Sequence, residues 1–185
     1  MLAPFRSLCP AYQGAWRALP LVALLLLSQC QKKDPSPLPL ETRTGAMTFG
    51  CKIDGRVFGP RDGRGKPGLE VHYVHLGEGK GGGYYLNIPA SDFRLNPIER
   101  VSVTADSLLV EEGKTYSFQT SKGSAQAFYA RGNQYQKLEQ DTGELTITRF
   151  DRTTGILAGR FHFVGTDKTT GRQVHVTDGR FDVRF

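Results

Sequence analysis

The sequence predicts an all-β domain, an antiparallel β-sandwich or partly open β-barrel of about ten short strands. Three observations carry this. From residue 48 onward apolar and polar side chains alternate with the period of a strand. Glycine-containing turns punctuate these segments at short intervals. No stretch shows a sustained helical spacing of apolar residues.

The elements follow in order. Phe49, Cys51 and Ile53 alternate with Gly50, Lys52 and Asp54, and Asp54-Gly55 is a two-residue hairpin signal that sets Cys51 across from Phe58. Residues 69–76 and 84–90 form a second expected pair, joined over the glycine-rich loop 78–83. Further strands are expected near 101–110, 114–119, 125–130 and 134–139. In the last third, Leu145 and Ile147 alternate with threonines, and Leu157, Phe161 and Phe163 share one parity. Val174 and Val176 are even, whereas Phe181, Val183 and Phe185 are odd. A two-residue turn at Asp178-Gly179, pairing Val176 with Phe181, would produce that change; so would one long strand bulged at Gly179. Two near-identical loops, Asp-Arg-Thr-Thr-Gly at 151–155 and Asp-Lys-Thr-Thr-Gly at 167–171, each offer an aspartate to start a turn and a glycine to end it, as in a meander.

The N-terminal residues divide the chain further. Residues 1–29 hold no acidic side chain, carry Arg6 and Arg17, and end in the apolar run from Ala18 to Leu27. That run is a signal-peptide core and falls short of the roughly 20 residues a membrane-spanning helix needs. Leu27, Ser28, Gln29 and Cys30 resemble a lipobox, which implies cleavage between Gln29 and Cys30 and acylation of the Cys30 thiol. Gln29 departs from the small residue usual there. Residues 30–46 then read as a lipidated cysteine and a proline-rich tether, and 47–185 as one domain. Several acyl chains hold a protein firmly, so the expected partner is a membrane, and the expected place is the cell envelope at the outer membrane.

Charge and cysteine content bound the function. The chain holds 24 basic and 18 acidic side chains. Cleavage before Cys30 removes two arginines, leaving a modestly basic domain with scattered cations. An exported domain of this kind is not expected to meet nucleic acid. Cys9 leaves with the signal and Cys30 is acylated, so Cys51 stands alone, a small apolar group beside Phe49 and Ile53.

TGAMTFGCKIDGRVF at 44–58 resembles the opening of an uncharacterised lipoprotein family common in Bacteroidota, which often begins TGANTFGC and continues into a hairpin. GELTITRFD at 143–151, GRFHF at 159–163 and VTDGRFDV at 176–183 resemble its closing strands. Met47 replaces the family's usual polar residue. The resemblance implies an all-β lipoprotein and brings no catalytic residues.

Chemistry-bearing residues are sparse. His72 and His75 point to opposite faces of a strand, while His162 and His175 point away from the apolar side, together if their strands pair. No metal-ligand spacing is present, and no cofactor or metal is expected. There is no Gly-x-Ser-x-Gly elbow and no phosphate-binding loop opening a helix. The segment 59–68 reads as a mobile basic loop able to touch phosphate or glycan. Tyr73, Tyr84, Tyr85, Phe128, Tyr129 and Tyr135 offer either strand packing or an aromatic binding surface. Two classes stand: a non-catalytic module that binds a glycan, lipid or protein or builds the envelope, and an envelope hydrolase or metal-binding protein whose site is assembled from distant residues. The missing signatures favour the first.

Overall fold

The computed structural model describes residues 38–78, 82–132, 134–166 and 170–185, without the side chains of 134–142. The signal sequence, Gln29, Cys30, Asp167 and the Tyr135 side chain lie outside the described residues. Ten strands form among the described residues: β1 (Thr48–Ile53), β2 (Arg56–Phe58), β3 (His72–His75), β4 (Tyr84–Asp92), β5 (Glu99–Asp106), β6 (Thr115–Ser117), β7 (Ser124–Arg131), β8 (Gln134–Asp151), β9 (Ile156–Thr166) and β10 (Gln173–Arg184). Their hydrogen-bonded order is β2-β1-β10-β9-β8-β7-β5-β4-β3, with β6 beside β8. The path folds back so that antiparallel layers pack as a sandwich. β2 and β3 do not pair with each other, so no barrel closes among the described residues.

The hairpin at Asp54-Gly55 pairs Cys51 with Phe58, as the turn chemistry demands. Both central residues have positive φ, 49° and 80°, the condition for a turn whose twist matches the strands. The pair β3–β4 and the meander β8–β9–β10 also form. In the loop 151–155, the Asp151 carboxylate accepts the backbone N–H of Thr153 and Thr154 at 2.9 and 3.2 Å.

One open choice is decided, in favour of the long bulged strand, and one expectation is revised. No hairpin forms at Asp178-Gly179; β10 runs straight through and carries one residue more than either neighbour between Val176 and Gly179. Val176 consequently faces Phe163, and Phe181 lies between Gly159 and Phe49. Gly179 is needed because Phe161 comes so close: a Cβ there would sit 2.5 Å from its carbonyl oxygen and 2.6 Å from its ring. Likewise 134–139 is not a separate strand. It continues into Leu145 and Ile147 as the long β8, whose first part pairs with β7 and whose second pairs with β6.

The core lies between the layers. Phe49, Cys51 and Phe58 meet Ile88, Val101, Val103, Leu145, Ile147, Leu157, Phe163, Val176 and Val183, all buried. Each large side chain so enclosed contributes roughly 1.5–3 kcal/mol relative to exposure.

Before β1, residues 38–46 lie along the domain as a strap. Phe181 and Val183 point inward, so Asp182 points outward, yet it is only 1% exposed because the strap covers it. Its carboxylate accepts the Thr42 hydroxyl at 2.6 Å and the backbone N–H groups of Thr44, Gly45 and Ala46 at 2.9, 2.7 and 3.2 Å. Farther along the strap, Glu41 takes Arg160 at 2.8 Å, and Pro39 offers its carbonyl to Arg180 at 3.4 Å. Pro39 crosses Gly50, where a Cβ would lie 2.5 Å from the proline ring. Part of the segment read as tether is thus fastened to the domain.

Burial pushes the Asp182 carboxyl upward, but the hydroxyl and backbone groups donating to it outweigh that, and its pKa lies below the usual carboxylate value. A lowered folded pKa stabilises fully above the unfolded value, about pH 4, and the contribution is lost as pH falls through the folded value. Asp182→Ala is expected to cost about 2 kcal/mol at neutral pH, from lost charge-assisted hydrogen bonds. Urea titrations from neutral to acidic pH check this: the gap between wild type and variant should narrow below about pH 4. A constant gap would refute the assignment.

Candidate functional site

Strand parity places two acids where apolar residues belong. Along β5, Glu99, Val101, Val103 and Ala105 share the inward face, and along β4 so do Leu86, Ile88, Ala90 and Asp92. Glu99 and Asp92 face each other across the β4–β5 pair at one end of the sandwich. A charge buried there must be paired. Both partners come from the chain around β2: Arg56 within it and Arg61 just after.

Glu99 is 2% exposed. One Arg56 nitrogen, Nη2, donates to both its oxygens, at 2.9 and 2.7 Å. The Tyr129 hydroxyl, inward-facing on β7, adds a bond of 3.1 Å. Arg131, paired with Glu99 in the β5–β7 ladder, brings Nε to 3.7 Å, an ion pair beyond hydrogen-bond reach. These groups line a cavity of about 200 Å³ together with Asp54 and Arg172. The Asp54 carboxylate accepts the His175 backbone N–H at 2.8 Å. Burial and the Glu99 charge push the Tyr129 phenol up to about 12, so it stays protonated near neutrality.

Asp92 is held as firmly. Arg61 donates from Nε to both oxygens at 2.9 Å and from Nη2 at 2.6 Å. The Arg61 backbone also bonds Ser91 and Phe93, and Asp62 accepts the Gly68 N–H at 2.7 Å. The loop 59–68 is therefore pinned to β4 instead of standing free, and its first arginine is committed to Asp92. A trough of about 640 Å³ beside it is floored by Phe58, Met47, Pro39 and Leu95.

At the opposite end, Tyr73 stacks on Tyr84 at 5.5 Å and meets Phe150 and Phe185 edge-on at 5.3 and 5.0 Å. Arg152 covers the Tyr84 ring at 4.5 Å, and its guanidinium donates to the Tyr84 hydroxyl at 3.2 Å. These rings close the sandwich between β3 and the ends of β8 and β10. The aromatic residues singled out in the sequence do not make one surface. Tyr129 belongs to the Glu99 cavity, Tyr85 meets Ser107 at 3.1 Å, and Phe128 is half-buried on β7.

The histidines are exposed. β9 and β10 pair, with His175 across from Val164, so His162 lies two residues away on the same outer side. Among the described residues, no three of His, Cys, Asp and Glu gather as metal ligands. Cys51 is fully buried, and that burial pushes its thiol far upward. It is an inert core group.

The Glu99 cluster escaped the sequence reading because Arg56 and Glu99 are far apart in the chain. The available signal was a glutamate on the inward parity of an apolar strand. Arg56→Ala, which strips Glu99 of its main counter-charge, is expected to cost about 3 kcal/mol. Tyr129→Phe should cost about 1 kcal/mol. Urea unfolding checks both; equal, negligible losses would show that the cluster is not structural.

A family model described as a domain of unknown function (DUF6252) matches residues 87–183, just over half of the chain. The closing strands whose resemblance was noted above fall within the match; the opening 44–58 lies outside it. Glu99, Tyr129, Arg131, Arg172 and Asp182 also fall inside. Neither a curated protein nor a solved structure matches.

Proposed function

The chain belongs to the DUF6252 family, a domain of unknown function, and from that premise we propose that it is an envelope lipoprotein whose domain binds a ligand without transforming it. In this reading the chain is cleaved after Gln29, acylated on Cys30 and held at the outer membrane. The support lies in the lipobox-like sequence, the short apolar run before it, and the all-β domain that follows.

One observation carries the preference for binding. The buried carboxylates that face the two described clefts are already spent, Glu99 on Arg56 and Tyr129, and Asp92 on Arg61. A general base needs a free lone pair within reach of substrate. Tyr129 holds its proton too tightly to act near neutral pH, and the Cys51 thiol is sealed. Guanidiniums of Arg131 and Arg172 also border the Glu99 cavity, and such groups recognise ligands. Glycans, lipids and protein surfaces are the partner classes this suits.

Mass spectrometry of the N-terminal peptide from the native membrane fraction tests the anchor. The expected product is an acylated peptide beginning at Cys30, absent from Cys30→Ser, which should leave the membrane. An unmodified N-terminus, or membrane-bound and lipid-labelled mutant protein, would overturn it.

A further inference from the structure

We propose that the cavity beside Glu99 is a binding site for a small oxyanion group, the phosphate or carboxylate of an acidic ligand, held by Arg131 and Arg172. The inference rests on the reading of the domain as a binding module and names the chemistry of its ligand.

Three guanidiniums, Arg56, Arg131 and Arg172, line this cavity against two carboxylates, Glu99 and Asp54. The charges are not equivalent. Glu99 is neutralised in place by Arg56, which lies within 2.7 Å, and is enclosed by Tyr129. Asp54 turns one oxygen to the β10 backbone. Arg131 makes only the 3.7 Å ion pair, and the Arg172 guanidinium has no ion pair or hydrogen bond among the described residues. Two guanidiniums with unused planar donors therefore border one half-open recess, and positive charge is in excess there.

The other clefts differ in this respect. Arg61 spends its fork on Asp92, and Arg160 spends both Nε and Nη2 on Glu41 at 2.8 Å. Arg180, beside Arg160, meets the carbonyls of Asp178 and Pro39 at 3.4 Å, whereas at the Glu99 end two guanidiniums without a hydrogen bond among the described residues share one cavity. Guanidinium donors match the paired oxygens of a carboxylate or phosphate, and binding in a recess strengthens the attraction. A volume of about 200 Å³ is below that of most drug-sized ligand sites, so the cavity admits a single charged group and not an extended chain. The ribs of the site are rigid: Glu99 and Arg131 are ladder partners, and Val174 and Ile53 behind it belong to the core.

The test uses the full-length protein in detergent, titrated calorimetrically with inorganic phosphate and, separately, with glucuronate. Saturable binding of either probe is expected, weakening as sodium chloride is raised. Arg131→Gln combined with Arg172→Gln should lower the affinity about tenfold or more. Arg64→Gln, on the loop at the β4 side, should bind as wild type. Phosphate alone or glucuronate alone would support the site and identify its preferred anion. Failure of both probes to saturate at millimolar concentration would overturn it, as would a double variant that folds with unchanged melting temperature and binds like wild type. Acylation at Cys30 without anion binding would remove the site and leave the anchor. Anion binding by a chain with an unmodified N-terminus would do the reverse.

Discussion

A single extra residue in β10, between Val176 and Gly179, decides which side chains of the central strand face inward. Without it, either the valines at 174 and 176 or the pair Phe181 and Val183 would turn to solvent, because a strand alternates strictly. The bulge lets all four enter the core. It also fixes Asp182 on the outer side, where the strap closes over it. Register on both sides of β10 depends on the same residue, since β1 and β9 shift together at that point.

The ends of the sandwich are closed by different physics. At one end, carboxylates on the inward parity are met by arginines from the β2 region. At the other, stacked rings and an arginine seal the gap between β3 and β10. Buried ion pairs rarely add much net stability over apolar packing, because desolvation offsets their attraction. Their consequence here is geometric. Arg56 to Glu99 and Arg61 to Asp92 join the first hairpin and its following loop to the β4–β5 pair, strands remote from it in the hydrogen-bonded order.

What could be read from the sequence was what depends on neighbours in the chain. Asp54-Gly55 specifies its hairpin locally, and the Asp-Arg-Thr-Thr-Gly loop carries its own turn chemistry in Asp151. The apolar face of β10 was legible from parity as well. Turn and bulge were not distinguishable there, because both change parity by one, and only the flanking strands decide between them. The continuity of β8 was hidden for the same reason. Glu99 and Asp182 were harder still: their partners lie at Arg56 and at 42–46, and no periodicity links residues so distant. Loop 59–68 looked free because glycine and charge describe composition, whereas the grip of Asp92 on Arg61 is a matter of folding.

The strap gives the domain a mechanical property. Tension applied to the chain ahead of Leu38 reaches Glu41 and the Asp182 clasp before it reaches β1. Those contacts are hydrogen bonds and one ion pair on the outside of a finished sheet, so they can peel in sequence while the core stays packed. Release of residues 38–46 would free a segment whose extended length is about 30 Å, at 3.3–3.6 Å per residue. Load on this end of the chain is thus met by loss of the strap's bonds before any loss of structure in the sandwich.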